Sequence, residues 1–217
     1  MGVAGSTGLD CRAVRALWRW GAAHKLRRMA HAQLAPIDLF DYLAFDEANE
    51  LRHEFVGGRI HAMSGGTLRH NRIAGNIYSA LLSQPAGSLC QVFINDVKLH
   101  VQAADCVYYP DVLVHCGGGL AGTQKMLTDA TLVVEVLSES TAEIDRREKL
   151  AAYQKLPSLR SYWVVSQDQA RVETHTRGED GRWTMSLVTQ PADTLATPGV
   201  PGAPLQLGAL YVGTDIG

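Results

Sequence analysis

Residues Thr131-Leu132-Val133-Val134-Glu135-Val136-Leu137 form an apolar run broken by a single acid. A run of this length and β-branched content is the pattern of a strand buried on both faces, at the centre of a sheet with layers above and below it. Side chains alternate along a strand, so Leu132, Val134 and Val136 share one face and Val133, Glu135 and Leu137 the other. Glu135 therefore points into a layer that is otherwise apolar. Burying an ionised carboxylate without a partner costs several kcal/mol even after relaxation. Either a buried Arg or Lys pairs with it, or it is held on a rigid strand to bind a cation.

The elements around this strand specify a mixed α/β layer fold around one sheet. Leu39, Tyr42 and Leu43 repeat at helical spacing behind Pro36 and Asp38. His53–Met63 reads as two short strands about Gly57-Gly58. A long helix is expected from Thr67 to about Gln84, with Leu68, Ile73, Ile77 and Leu81 on one face. Strands are expected at Cys90–Ile94, Val97–Val101 and Val107–His115. Pro110 inside the last of these implies an edge position or a bulge. A helix from about Ala142 to Leu156 follows the central run and stops at Pro157. Tyr162–Ser166 is a further buried strand. Arg171–Thr176 and Arg182–Val188 form a hairpin, and Leu205–Val212 closes the chain.

Among 217 residues, 46% are hydrophobic and 19% charged, the proportions of an ordinary globular domain. No apolar run reaches the roughly 20 residues of a membrane helix, and the first 30 residues hold no secretory apolar core. Cys11, Cys90, Cys106 and Cys116 have no metal-site or redox-pair spacing, and are expected as reduced thiols of a cytoplasmic protein. Residues 1–36 hold six basic residues and one acidic, which leaves fourteen basic against twenty-one acidic residues in the rest. An acidic body does not bind nucleic acid through bulk charge. Any such contact must come from a local patch, a bound metal or the basic arm. Residues 1–28 are expected to be a disordered basic leader or an over-called start, ahead of a domain at 29–217. The other reading of them is an arm that touches nucleic acid.

Asp111 is a second isolated acid in a β-rich run, Val107-Tyr108-Tyr109-Pro110-Asp111-Val112-Leu113-Val114. In the helix after Glu135, a period of 100° per residue puts Arg146, Lys149, Leu150, Tyr153 and Leu156 on one stripe. Leu150, Tyr153 and Leu156 must face the sheet, so Lys149 lies on the sheet-facing flank, within reach of Glu135. A lysine there can orient or deprotonate a water, or stabilise charge developing on a phosphate. It can equally be a snorkelling lysine with its head in water. Glu54 in the first hairpin is a further candidate. His70 at the start of the long helix and Arg146 are candidate contacts to the site or to DNA.

The ordered segments Arg52-His53-Glu54-Phe55-Val56-Gly57-Gly58-Arg59-Ile60, Arg69-His70-Asn71-Arg72-Ile73, Tyr109-Pro110-Asp111-Val112-Leu113-Val114, Leu132–Thr141, Asp145–Tyr153 and Tyr162–Val165 resemble the bacterial Uma-type restriction endonuclease family, a branch of the PD-(D/E)xK nuclease superfamily. The resemblance spans about residues 37–212. It implies a restriction-endonuclease-like fold and Mg²⁺ (or Mn²⁺) on Asp111 and Glu135, with Glu54 close by. It also implies a DNA substrate and a homodimer. The superfamily's usual lysine stands two residues after the second acid, where this chain has Leu137. Lys149 matches the place to which the lysine of this branch has moved.

The reaction expected from these residues is hydrolysis of DNA phosphodiester bonds, with Asp111, Glu135, Lys149 and Glu54 as the catalytic set. The acidic body and Leu137 favour another reading, a catalytically degenerate binding or interaction module on the same fold. A third, a metal-dependent hydrolase of something smaller, finds no nucleotide-binding glycine loop to support it.

Overall fold

Asp38 opens the described fold as an N-cap, its side chain accepting from the Asp41 N–H at 2.8 Å, and α1 runs over Leu39–Ala48. The structure is a computed structural model that describes residues 36–216 apart from 64, 84, 86, 87, 139–141 and 203. The basic leader expected at 1–28, and the domain start at Met29, lie outside the described residues. Strands β1 (His53–Val56) and β2 (Arg59–Ala62) pair antiparallel about Gly57 and Gly58. Both turn residues have positive φ, +53° and +82°, which glycine adopts at little steric cost. Thr67 caps α2 (Leu68–Leu82), accepting from the His70 N–H.

Two principal sheets form. The first, in the order β2-β1-β5-β4-β7, adds β4 (Lys98–Val101), β5 (Cys106–Tyr108) and β7 (Met126–Leu127) to the first hairpin. The second has the order β11-β10-β9-β8-β6-β3. It contains β3 (Cys90–Ile94), β6 (Val112–Cys116), β8 (Leu132–Val136), β9 (Ser161–Val165) and the hairpin β10 (Val172–Arg177) with β11 (Trp183–Val188). Strand β8 is central, parallel to β9 and antiparallel to β6, and all five of its residues are buried. The short pair β12 (Thr194–Leu195) and β13 (Leu205–Gln206), with α5 (Leu207–Leu210), completes the chain.

The two faces of β8 fall in two cores, as its alternation demands. Leu132, Val134 and Val136 pack with Ile73, Ala74, Ile77 and Leu81 of α2. Val133 and Leu137 pack with Tyr108, Tyr153, Leu156 and Tyr162. Glu135 shares this second face, between the two sheets and the helix that follows.

Four expectations need correction. Leu68 is 93% exposed, and Ala74 takes its place on the buried face of α2. Residue 68 lies five positions before Ile73, about 140° from it around the helix. The strand expected over Val107–His115 is divided: β5 belongs to one sheet and β6 to the other, with Tyr109-Pro110-Asp111 as the crossing. Pro110 lacks the N–H a ladder needs, and it marks a passage between sheets rather than an edge or a bulge. The helix after β8 is not a continuous α-helix. It consists of α3 (Ala142–Ile144), a π-turn (Asp145–Lys149) and α4 (Leu150–Tyr153), so a uniform 100° period does not describe it. Finally, Cys90 and Cys116 are joined by a disulfide and are not reduced thiols; Cys106 is free and buried. The β3–β6 register sets the two directly opposite each other, with Cα atoms 3.9 Å apart, a proximity that their separation of 26 residues does not reveal.

Closing a loop of about that length should stabilise the fold by on the order of 3 kcal/mol through the unfolded chain. Cys90→Ser is therefore expected to lower Tm by several degrees in a non-reducing melt. The wild-type chain melted with excess reductant should match the variant. Equal melting of wild type and variant without reductant would show that the bridge carries no stability.

Candidate active site

The β6–β8 register brings the two acids together. Val112 pairs with Val134, so one step further along the antiparallel pair Asp111 faces Glu135 on the same side of the sheet. Asp111 sits just before β6 and is held by its neighbours. Its Oδ2 accepts from the Val136 N–H at 2.7 Å and lies 3.2 Å from His70 Nε2. Its backbone carbonyl accepts from the Asn95 N–H at 2.9 Å. His70 thus reaches Asp111 from the first turn of α2 while its ring also meets the backbone of Val136. Burial disfavours the charged imidazole, but the Asp111 carboxylate outweighs it and raises the His70 pKa.

Glu135 is 4% exposed, and its Oε1 accepts from Tyr153 OH at 2.8 Å and from Lys149 Nζ at 3.2 Å. Lys149 is equally buried. Its ammonium also lies 2.9 Å from Glu54 Oε1 and 3.3 Å from Asp145 Oδ1. The lysine is therefore enclosed by carboxylates from β1, β8 and its own helix, with the ring of Tyr108 beside it at 5.4 Å. It is not a snorkelling side chain. Burial opposes its charge, yet Glu135, Glu54 and Asp145 together raise its pKa well above the usual lysine range. Burial, partly offset by Lys149, pushes Glu135 well above the usual carboxylate range, and Asp145, Asp111 and Glu54 push it further.

A cavity of about 770 Å³ opens over these groups, lined among others by Arg52, Glu54, His70, Asp111, Glu135 and Lys149. Five of the six expected residues converge there. Arg146 does not line it: its Nε pairs with Glu173 of β10 at 3.1 Å, and Arg171 shares that carboxylate at 3.0 Å. Sequence reasoning assigned no role to Asp145, although an acid four residues before a lysine on a helix is a pairing signal. The hydroxyl of Tyr153 was likewise counted only as apolar surface.

Three carboxylates, Glu54, Glu135 and Asp145, surround one ammonium, and Asp111 faces Glu135 from the neighbouring strand. Such an excess of buried negative charge calls for a proton or a cation. No three His, Cys, Asp or Glu side chains among the described residues stand as a ready-made chelating cluster. Mg²⁺ takes one or two carboxylates and completes its shell with waters and substrate phosphates. Asp111 and Glu135, hard oxygen donors side by side at the cavity, fit that requirement.

The raised Glu135 pKa predicts a trade-off. The folded state holds this proton more tightly than the unfolded state does. The associated stability is present below the usual carboxylate pKa and is lost as pH rises through the folded value. Glu135→Gln removes the charge and keeps an acceptor for Tyr153, while Lys149 retains Glu54 and Asp145. In chelator-treated protein at neutral pH the variant should melt higher than wild type. Each kcal/mol gained would raise Tm by about 2–4 °C. The gap should narrow as pH falls toward 4, and a lower Tm for the variant at every pH would refute the assignment.

Residues 39–208 match the family described as "Uma2: Putative restriction endonuclease". The chain is 29% identical over 188 residues to the uncharacterised protein slr1290 of Synechocystis sp., covering 85% of this chain and 98% of the relative. It is 28% identical over 148 residues to a second protein of that organism, sll1609, covering 67% and 84%. Its fold is that of a crystal structure described as "a putative nuclease belonging to DUF820" from Anabaena variabilis. The TM-score is 0.68 at 17% identity, covering 81% of this chain and 98% of the other. No helix among the described residues is long and apolar enough to cross a membrane.

Proposed function

Because the chain belongs to the Uma2 family, we propose that it is a metal-dependent DNA endonuclease whose active site is the cavity over Asp111 and Glu135. The observation that carries this reading is the buried Lys149 ammonium, 3.2 Å from Glu135 on a wall of the same cavity. Leu137, two residues after Glu135, is buried in the core and offers no charge to the site. The lysine of the helix supplies the cation that this strand lacks.

Asp111 and Glu135 are the residues that would hold Mg²⁺, with Mn²⁺ as a substitute. When bound, the metal supplies Lewis-acid stabilisation of phosphate charge and a water of lowered pKa. The protein's own groups do the rest. His70 and the Val136 N–H orient the Asp111 carboxylate from two sides. Tyr153 and Lys149 fix Glu135. Lys149, kept protonated by its carboxylates, serves as a cationic donor to the attacking water or to a phosphate oxygen, and not as a base. Glu54 holds the lysine at 2.9 Å from the first hairpin. Arg52 stands on the cavity wall, paired with the exposed Asp96, and offers a positive charge to a nucleic-acid backbone.

Supercoiled plasmid incubated with Mg²⁺ or Mn²⁺ should be nicked or linearised, and EDTA should stop the reaction. Asp111→Ala, Glu135→Ala and Lys149→Ala should each lower the rate by about 100-fold or more, the scale expected for loss of one electrostatic catalytic group. No cleavage by folded wild-type protein with either metal would leave a non-catalytic module on this fold.

A further inference from the structure

The three carboxylates around Lys149 are not equivalent. Glu54 and Glu135 line the cavity, so a cation or phosphate entering it meets them directly. Charge that they share with a cation is withdrawn from the lysine. Asp145 is 1% exposed, lies outside the cavity lining and stands 3.3 Å from Lys149 Nζ. A cation in the cavity does not compete for it.

Its position is also specially made. Asp145 opens the π-turn, and its backbone carbonyl accepts from Tyr162 OH of β9 at 2.9 Å. Asp145 and Lys149, four residues apart, are both buried on this turn, while Arg146, Arg147 and Glu148 stay more exposed. Widened turns of this kind depart from regular helix geometry and recur at functional sites.

We infer that Asp145 is a positioning residue: it is a counter-charge to Lys149 set apart from the cavity, and it holds that ammonium in place while Glu54 and Glu135 engage metal and substrate. The inference rests on the nuclease reading. Its cause is geometric, so it applies at any pH where the site is loaded.

The test is a double-mutant cycle on plasmid cleavage, using Asp145→Asn, Lys149→Ala and the pair, with Mn²⁺ affinity measured separately by calorimetry. Asp145→Asn should lower kcat by about 10- to 100-fold, the usual range for a residue that orients a functional group. Mn²⁺ affinity should be unchanged, and the substitution should add nothing in the Lys149→Ala background. An equal loss in both backgrounds, or a loss of Mn²⁺ affinity in place of kcat, would overturn the role. If the amide does not fold at this buried position, Asp145→Ser, which leaves room for a water, goes through the same cycle and is judged the same way. Wild type that does not cleave would overturn the nuclease reading and this inference with it. Full activity in Lys149→Ala would overturn the role of Lys149 and this inference, and leave the nuclease reading standing. An active wild type and an impaired Lys149→Ala with additive losses would overturn the inference alone.

Discussion

A single buried ammonium joins three parts of this fold. Lys149 meets Glu54 from the first hairpin, Glu135 from the central strand and Asp145 from its own helix. Each of these acids would be costly to bury alone, and so would the lysine. Their mutual satisfaction places the first sheet, the central strand and the π-turn around one point. The hydroxyls of Tyr153 and Tyr162 tie Glu135 and the Asp145 backbone into the same arrangement. Removing the lysine would leave its carboxylates uncompensated in a low-dielectric region, whereas loss of one acid leaves the lysine two others.

The balance at that point is deliberately uneven. One lysine does not neutralise the carboxylates that face it, and Glu135 is driven toward its neutral form in the absence of a cation. Pre-organised charge of this kind destabilises the empty protein and favours whatever cation completes it. Asp111 adds to the imbalance from the neighbouring strand, with its carboxylate already oriented by a backbone N–H and by His70. The cavity thus carries more carboxylates than cations, the imbalance on which the proposed metal-dependent reading draws.

Support for the site extends behind it. Asp46, almost fully buried, accepts from Tyr109 OH at 2.6 Å and from the His53 N–H at 2.9 Å, and pairs with Lys98 at 3.0 Å. Tyr109 and His53 flank the positions of Asp111 and Glu54 along the chain. This second polar cluster anchors the crossing between the sheets and the strand that carries Glu54. Rigid elements on both sides of a site limit the play of its functional groups.

Local pattern was enough for much of this. The alternation and hydrophobicity of Leu132–Val136 determined a central strand with Glu135 facing one layer, because side-chain direction in a strand has a period of two. Capping residues and glycines set the ends of the first two helices and the first hairpin, because those signals act within a few residues. Asp111 and Glu135 were legible as isolated acids in apolar runs, Lys149 from its place beside an apolar helical stripe, and Glu54 as a further candidate that a family resemblance joined to them. Tertiary structure decided what depends on distant neighbours. It split the strand at Pro110 between two sheets and joined Cys90 to Cys116 across a register that no local signal encodes. It sent Arg146 to Glu173, away from the cavity. It also buried Asp145 and Lys149 together on a widened helical turn. The gain there comes from carboxylates far away in sequence, and a period read along one helix cannot contain it.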